Sequence, residues 1–166
     1  MGKRRPKRRT NRVALSPRAL QTPSMQLPPR LQSLVLKTGL HLGVLSDCDR
    51  ASVLALAACA IEPGQPLRED EVNRRLIDWL ADVGQMLRTD HVELRRWLVD
   101  AGFVARDGWG YAYVRGPAQL DLVRQALGTA DGAAIAAAVR SARVAAQSAR
   151  LARRQAFVSR RLSVAG

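Results

Sequence analysis

Apolar positions recur along this chain at helical spacing in separate blocks, and turn-forming residues divide the blocks. In LQSLVLKT, Leu31, Leu34, Val35 and Thr38 share one helical face before Gly39 and Gly43 interrupt it, which predicts a short helix. Ser46, with Asp49 three positions on, has the form of an N-terminal cap. The run ASVLALAACAI behind it is apolar enough for a buried helix over about 47–61, ended by Pro63, Gly64 and Pro66. A second stripe, Val72, Leu76, Trp79 and Leu80, predicts a helix from Glu69 to Asp82, with Glu69, Asp70 and Glu71 opposing the positive end of its dipole. Asp90 and Glu93 cap a third helix whose stripe is Leu94, Trp97, Leu98 and Ala101. Gly102 is its expected stop, and Phe103 is placed to pack back on the last turn.

The period then changes. Val104–Arg106 and Tyr111–Arg115 read as two strands joined through Asp107, Gly108, Trp109 and Gly110, with Tyr111 and Tyr113 packing one face of the ribbon. Pro117 suits the first turn of a further helix to about Leu127. From Asp131 to about Leu162 the chain is nearly continuous helix former, with Ile135, Ala138, Ala142, Ala145, Ala149, Ala152 and Ala156 recurring as a coiled-coil-like seam. So little apolar area makes that helix marginal alone, and a polyanion or a partner helix is expected to stabilise it. The predicted class is mainly α: a winged helix-turn-helix-like domain of three helices and a β-hairpin wing, followed by a long basic helix. Residues 1–30 read as a disordered basic arm, 31–127 as the winged-helix-like domain with short flanking helices, and 128–166 as an Ala/Arg-rich basic helix. Tight packing is expected only over about 47–127, with Trp79 and Trp97 in the core.

EDEVNRRL followed by DHVELRRWLVDAGFVARDGWGYAYVR resembles a small bacterial family catalogued as domain of unknown function 2087, over roughly residues 48–115. Its pattern of E-V-N, then D-x-x-x-L-R-R-x-L-V-D, a glycine, and after it an arginine, a glycine and a tyrosine, falls on Val72, Asn73, Asp90, Leu94, Arg95, Arg96, Leu98, Val99, Asp100, Gly102, Arg106, Gly108 and Tyr111. The resemblance implies a winged-helix-like fold and no established activity. The chain departs from the pattern in carrying extra residues around VGQML and long basic arms on both sides.

Charge adds a partner to this picture. The formal net charge is +13, distributed as +10 over residues 1–46, −4 over 47–131 and +7 over 132–166. An acidic middle between two basic ends points to a polyanion held mainly by the ends, because cations gain most where phosphates release condensed counterions. The candidate phosphate contacts are therefore Lys3, Arg4, Arg5, Lys7, Arg8, Arg9 and Arg12 at one end. At the other they are Arg140, Arg143, Arg150, Arg153, Arg154, Arg160 and Arg161. Within the third helix a 100° step turns Arg95 and Arg96 away from the apolar stripe, towards base edges, phosphates or ion pairs with Glu93 and Asp100. Arg106 and Arg115 on the wing are candidates for neighbouring backbone, and Trp109 at its tip for stacking on an unpaired base.

The function expected is nucleic-acid binding, DNA before RNA, as a transcriptional regulator or accessory factor. An RNA- or ribosome-associated protein and a protein-interaction module remain alternatives. The long helix also offers a surface for a homo-oligomer. His41, His91, Cys48 and Cys59 show no metal-ligand spacing, and no phosphate loop, nucleophile elbow or dinucleotide glycine pattern is present, so neither metal, cofactor nor catalysis is expected. Cys48 and Cys59 would lie about 16 Å apart on one helix, beyond disulfide reach. With no signal-like or membrane-spanning run, the expected compartment is the bacterial cytoplasm, at the nucleoid if DNA is bound.

Overall fold

A computed structural model describes residues 25–164, and Lys3 to Arg12 lie outside the described residues. The order of elements is α1 (Pro29–Val35), a single 3-10 turn (Leu42–Val44), α2 (Asp47–Ala58), α3 (Glu69–Ala81), α4 (His91–Asp100), β1 (Ala105–Arg106), β2 (Tyr113–Val114), α5 (Pro117–Leu127) and α6 (Gly132–Val164). The fold is mainly helical, and α2, α3, α4 and the hairpin follow one another as in a winged helix.

α2 forms the centre because it is apolar nearly all round: every residue from Val53 to Ala58 is buried. Ser46 caps it as expected, accepting from the Asp49 N–H at 3.2 Å. α3 buries Val72, Leu76 and Trp79, and α4 buries Leu94 and Leu98. The start of α4 differs from a reciprocal capping box. Asp90 accepts from the N–H groups of Val92 and Glu93, both at 2.8 Å, but the Glu93 carboxylate accepts from the Thr89 hydroxyl at 2.7 Å. These donors hold the Asp90 carboxyl below its usual pKa, the Glu93 N–H first among them. At the other end Gly102, at φ +75°, lets its own N–H reach Val99 and the Phe103 N–H reach Leu98. That is a complete Schellman closure, and it delivers Phe103 into the core.

The connection from α3 to α4 spans Asp82–Asp90, longer than the three- or four-residue turn of a helix-turn-helix. It is no slack loop. The Leu40 N–H donates to the Met86 carbonyl and the Arg88 N–H to the Leu40 carbonyl, at 2.8 and 2.7 Å, and Val83 and Met86 are buried. The wing is also tied back: Leu67 and Tyr113 exchange N–H···O bonds at 2.8 and 2.9 Å, and the Gly64 N–H donates to Arg115 at 3.0 Å. The stretch between α2 and α3 thus runs beside β2.

Three expectations about packing change. The core is not confined to 47–127, because Leu27, Leu31, Leu34 and Val35 before it and Ile135 and Val139 after it are buried in the same cluster. Trp97 is only half-buried, because it meets the polar first turn of α2, where the Arg50 guanidinium lies 5.3 Å from its ring centroid. Tyr111 is 76% exposed while Tyr113 is 2% exposed, because β2 begins at Tyr113 and leaves Tyr111 in the turn. In that turn the left-handed residue is Gly110, at φ +77°, and not Gly108.

Candidate nucleic-acid interface

The basic side chains divide into those that hold the fold together and those that face solvent. Arg115 belongs to the first group: it is 3% exposed, and its Nη1 donates to the Ala58 carbonyl at 2.9 Å, closing the C-terminal end of α2. Inside the core it cannot hold phosphate from the wing, which corrects the expectation. It lies beside Cys59, whose thiol burial pushes up, with the Arg115 guanidinium opposing.

Arg95 is turned inward too. Only 12% of its side chain is exposed; it pairs with Glu69 at 2.8 Å, donates to Asn73, and lies 5.5 Å from the Tyr113 ring centroid. Its partners sit on the first turns of α3 and on the wing, so it staples α4 to both. The expectation that Arg95 and Arg96 leave α4 together towards a ligand therefore holds in geometry for Arg96 alone. Arg96 is exposed, and neither Glu93 nor Asp100 lies within ion-pair distance of it among the described residues. Arg106 is exposed but lies over Tyr113, 5.7 Å from the ring centroid. Trp109 stands 84% exposed in the same hairpin turn, held by Asp107, which accepts from the Tyr111 N–H at 2.8 Å.

α6 carries the larger basic surface. Its first turns enter the core through Ile135 and Val139, and two arginines then fasten it. Arg140 binds the Asp82 carboxylate, with Nε at 2.9 Å from Oδ2, and that pairing holds the Asp82 carboxyl below its usual pKa. Arg143 donates to three backbone carbonyls: Nε to Val35 at 3.1 Å, Nη1 to Asp82 at 2.6 Å and Nη2 to Val83 at 2.7 Å. Val35 ends α1 and Asp82 caps α3, so one guanidinium fills the negative ends of two helices. Both residues are fastenings, which corrects their assignment as free phosphate contacts. Beyond Ala146 every described side chain of α6 is exposed, including Arg150, Arg153 and Arg154; Arg161 lies outside the described side chains.

The packed seam also differs from the alanine seam expected. Val139 replaces Ala138 as its second buried residue, and the seam leaves the body after Ala142 and Arg143. A straight helix drifts from a seven-residue repeat, so Ala145, Ala149, Ala152 and Ala156 move off the packed face. On the far side Val144, Leu151 and Val158, seven residues apart, are exposed.

Two of the grooves against the root of α6 differ in charge. One, of about 630 Å³, lies against Glu62, Asp78, Asp82 and Asp131 and gathers the body's acids; Arg75 and Arg140 answer two of them. The other, of about 720 Å³, is lined by Lys37, Arg143, Arg150 and Arg153 and by no carboxylate. Among the described residues no cluster of acids, histidines and cysteines has metal-ligand geometry, and no helix is long and apolar enough to cross a membrane.

The arrangement defines a helical domain with a pinned hairpin and a projecting basic helix. Residues 46–115, from the cap of α2 to the end of the wing, match the family described as an uncharacterized protein conserved in bacteria (DUF2087). No curated protein and no solved structure matches the chain.

Proposed function

We propose that the protein binds nucleic acid, DNA in preference to RNA, as a regulator or accessory factor at the nucleoid of a bacterial cytoplasm. The observation that carries this reading is the exposed half of α6, where Arg150, Arg153 and Arg154 face solvent and no acid occurs in the chain after Asp131. An arginine-clad helix with no internal counter-charge gains most from a surface of closely spaced phosphates. The winged-helix order and the exposed Arg96 favour duplex DNA over RNA as partner, with the wing orienting a complex whose affinity comes from the arms. Val144, Leu151 and Val158 make a further part of the proposal, a face on which a second copy can pair while the arginines point outward.

The test is a titration of the full chain, and of a chain ending at residue 147, against duplex DNA and duplex RNA at several salt concentrations. Loss of most affinity on truncation, with a shallower salt dependence, supports the reading. Unchanged binding by the truncated chain refutes it, and preference for RNA transfers it to the alternative.

A further inference from the structure

The helical face by which α6 enters the body as Ile135, Val139 and Ala142 leaves it as Arg143, Ala146, Arg150 and Arg153, the same face at helical spacing with its chemistry changed. At that change the helix forms one wall of the 720 Å³ groove. Lys37 and Thr38, just after α1, form the other wall, and buried Val35 and Met86 lie at the floor. The four cations differ in what they have left to offer. Arg143 has given its donors to carbonyls and supplies charge alone. Arg153 has spent only its Nε, on Ala149 at 3.2 Å. Lys37 and Arg150 are exposed, with no carboxylate beside them in the groove.

Four like charges around one concavity repel one another, and no carboxylate lines it: the Asp82 charge reaches Arg143 from outside the groove and leaves Lys37, Arg150 and Arg153 without an answering anion there. A bound anion removes that cost. Guanidinium forks match paired phosphate oxygens, an ammonium adds a point charge, and the Thr38 hydroxyl and Gln147 amide add neutral donors. The volume lies within the roughly 300–1,000 Å³ of ligand pockets, so the groove has room for linked phosphates and not for one ion alone. We propose that the groove between Lys37–Thr38 and the Arg143–Arg153 face of α6 is a binding site for linked phosphate groups. The phosphates belong either to a nucleic-acid backbone or to a free polyphosphate, and only the first source rests on the function proposed above.

The experiment follows the backbone amide signals of Thr38 and Gln147 in isotope-labelled full chain while tripolyphosphate, or a short DNA duplex, is added. The same titrations are run on Lys37→Ala with Arg150→Gln and on a control of equal charge change, Arg30→Gln with Arg88→Gln, which leaves both the groove and the exposed half of α6 intact. The expected result is a saturable shift of both signals, with affinity lowered about tenfold or more in the groove variant and much less in the control, on the scale of hydrogen bonds between charged groups. A response to both ligands, or to the duplex alone, assigns the backbone as a source. A response to tripolyphosphate alone assigns the free polyphosphate. Equal losses in the two variants mean general electrostatics and overturn the site. Unmoved signals also overturn it, while binding of DNA by the exposed arm would persist, so this failure is distinct from failure of the proposed function.

Discussion

Both halves of α6 carry arginines and no acid, yet their arginines do opposite work. In the first half Arg140 and Arg143 are spent on the body's own carboxylate and carbonyls. In the second, Arg150 and Arg154 have no such surface within reach and face water. The difference lies in what stands opposite: two helix ends and Asp82 against the first half, solvent against the second. An arginine count therefore overstates the surface offered to phosphate, and position along the helix decides which charges are available.

The comparison breaks most readily at the exposed half. Removing residues 148–166 deletes Arg150, Arg153, Arg154, Arg160 and Arg161 and leaves both fastenings in place. We expect the unfolding midpoint to stay near that of the full chain and affinity for duplex DNA to fall by orders of magnitude. The salt slope should flatten by roughly 0.9 for each phosphate that is no longer neutralised. Titrations at three salt concentrations and one thermal melt check this, and a large loss of stability would show that the exposed half is part of the fold.

The reverse experiment removes a fastening. Arg143→Ala leaves the carbonyls of Val35, Asp82 and Val83 without their donor, and a buried acceptor left unpaired costs about 1–3 kcal/mol. Denaturant unfolding should show a loss of about 3 kcal/mol, because water reaches some but not all of these acceptors. Arg150→Ala, equal in charge, should change stability by less than about 0.5 kcal/mol. Similar losses for the two would erase the distinction between the halves.

The wing sharpens the same contrast between engaged and free groups. Iodide should quench Trp109, 84% exposed, far more than Trp79, which is 7% exposed. Trp97, half-covered beneath Arg50, should fall between them. Quenching of Trp97 as complete as that of Trp109 would place α4 differently on α2.

What could be read from the sequence was what neighbours in the chain decide. Ser46, Asp90 and Gly102 mark helix ends by bonds that span three to five residues, and the stripes of α3 and α4 follow from a fixed angular step. The fates of the arginines could not be read in this way. Arg115 meets Ala58 and Arg143 meets Val35 and Asp82 across 57 to 108 residues, and a helical wheel names the face of a residue but not what covers it. Val139 lies four residues after Ile135, on the same helical face, but a seven-residue repeat of alanines passes it by for Ala138. Tyr111 depended on where a two-residue strand begins, which alternation alone does not fix.

The smallest expected effect is a pH dependence at the root of α6. Its hydrogen bonds from Arg140, followed by the charges of Arg140 and Arg143, hold the folded-state pKa of Asp82 below the unfolded value of about 3.9. The sign follows from which form the fold prefers. The ionised carboxylate is favoured in the folded chain, so its contribution is complete above the unfolded pKa and is lost as pH falls through the lower folded value. Asp82 and Arg140 are both about half-exposed, so screening by solvent keeps the contribution of the pair small. Asp82→Asn should therefore lower stability only slightly at neutral pH and reduce the acid sensitivity between pH 4 and the folded pKa, while the amide keeps one acceptor for Arg140. The measurement is a set of urea unfolding midpoints from pH 3 to 7 for the parent and the Asn variant. Parallel curves over the whole range would show that Arg143 and the apolar contacts of Ile135 and Val139 hold the helix down without help from the ion pair.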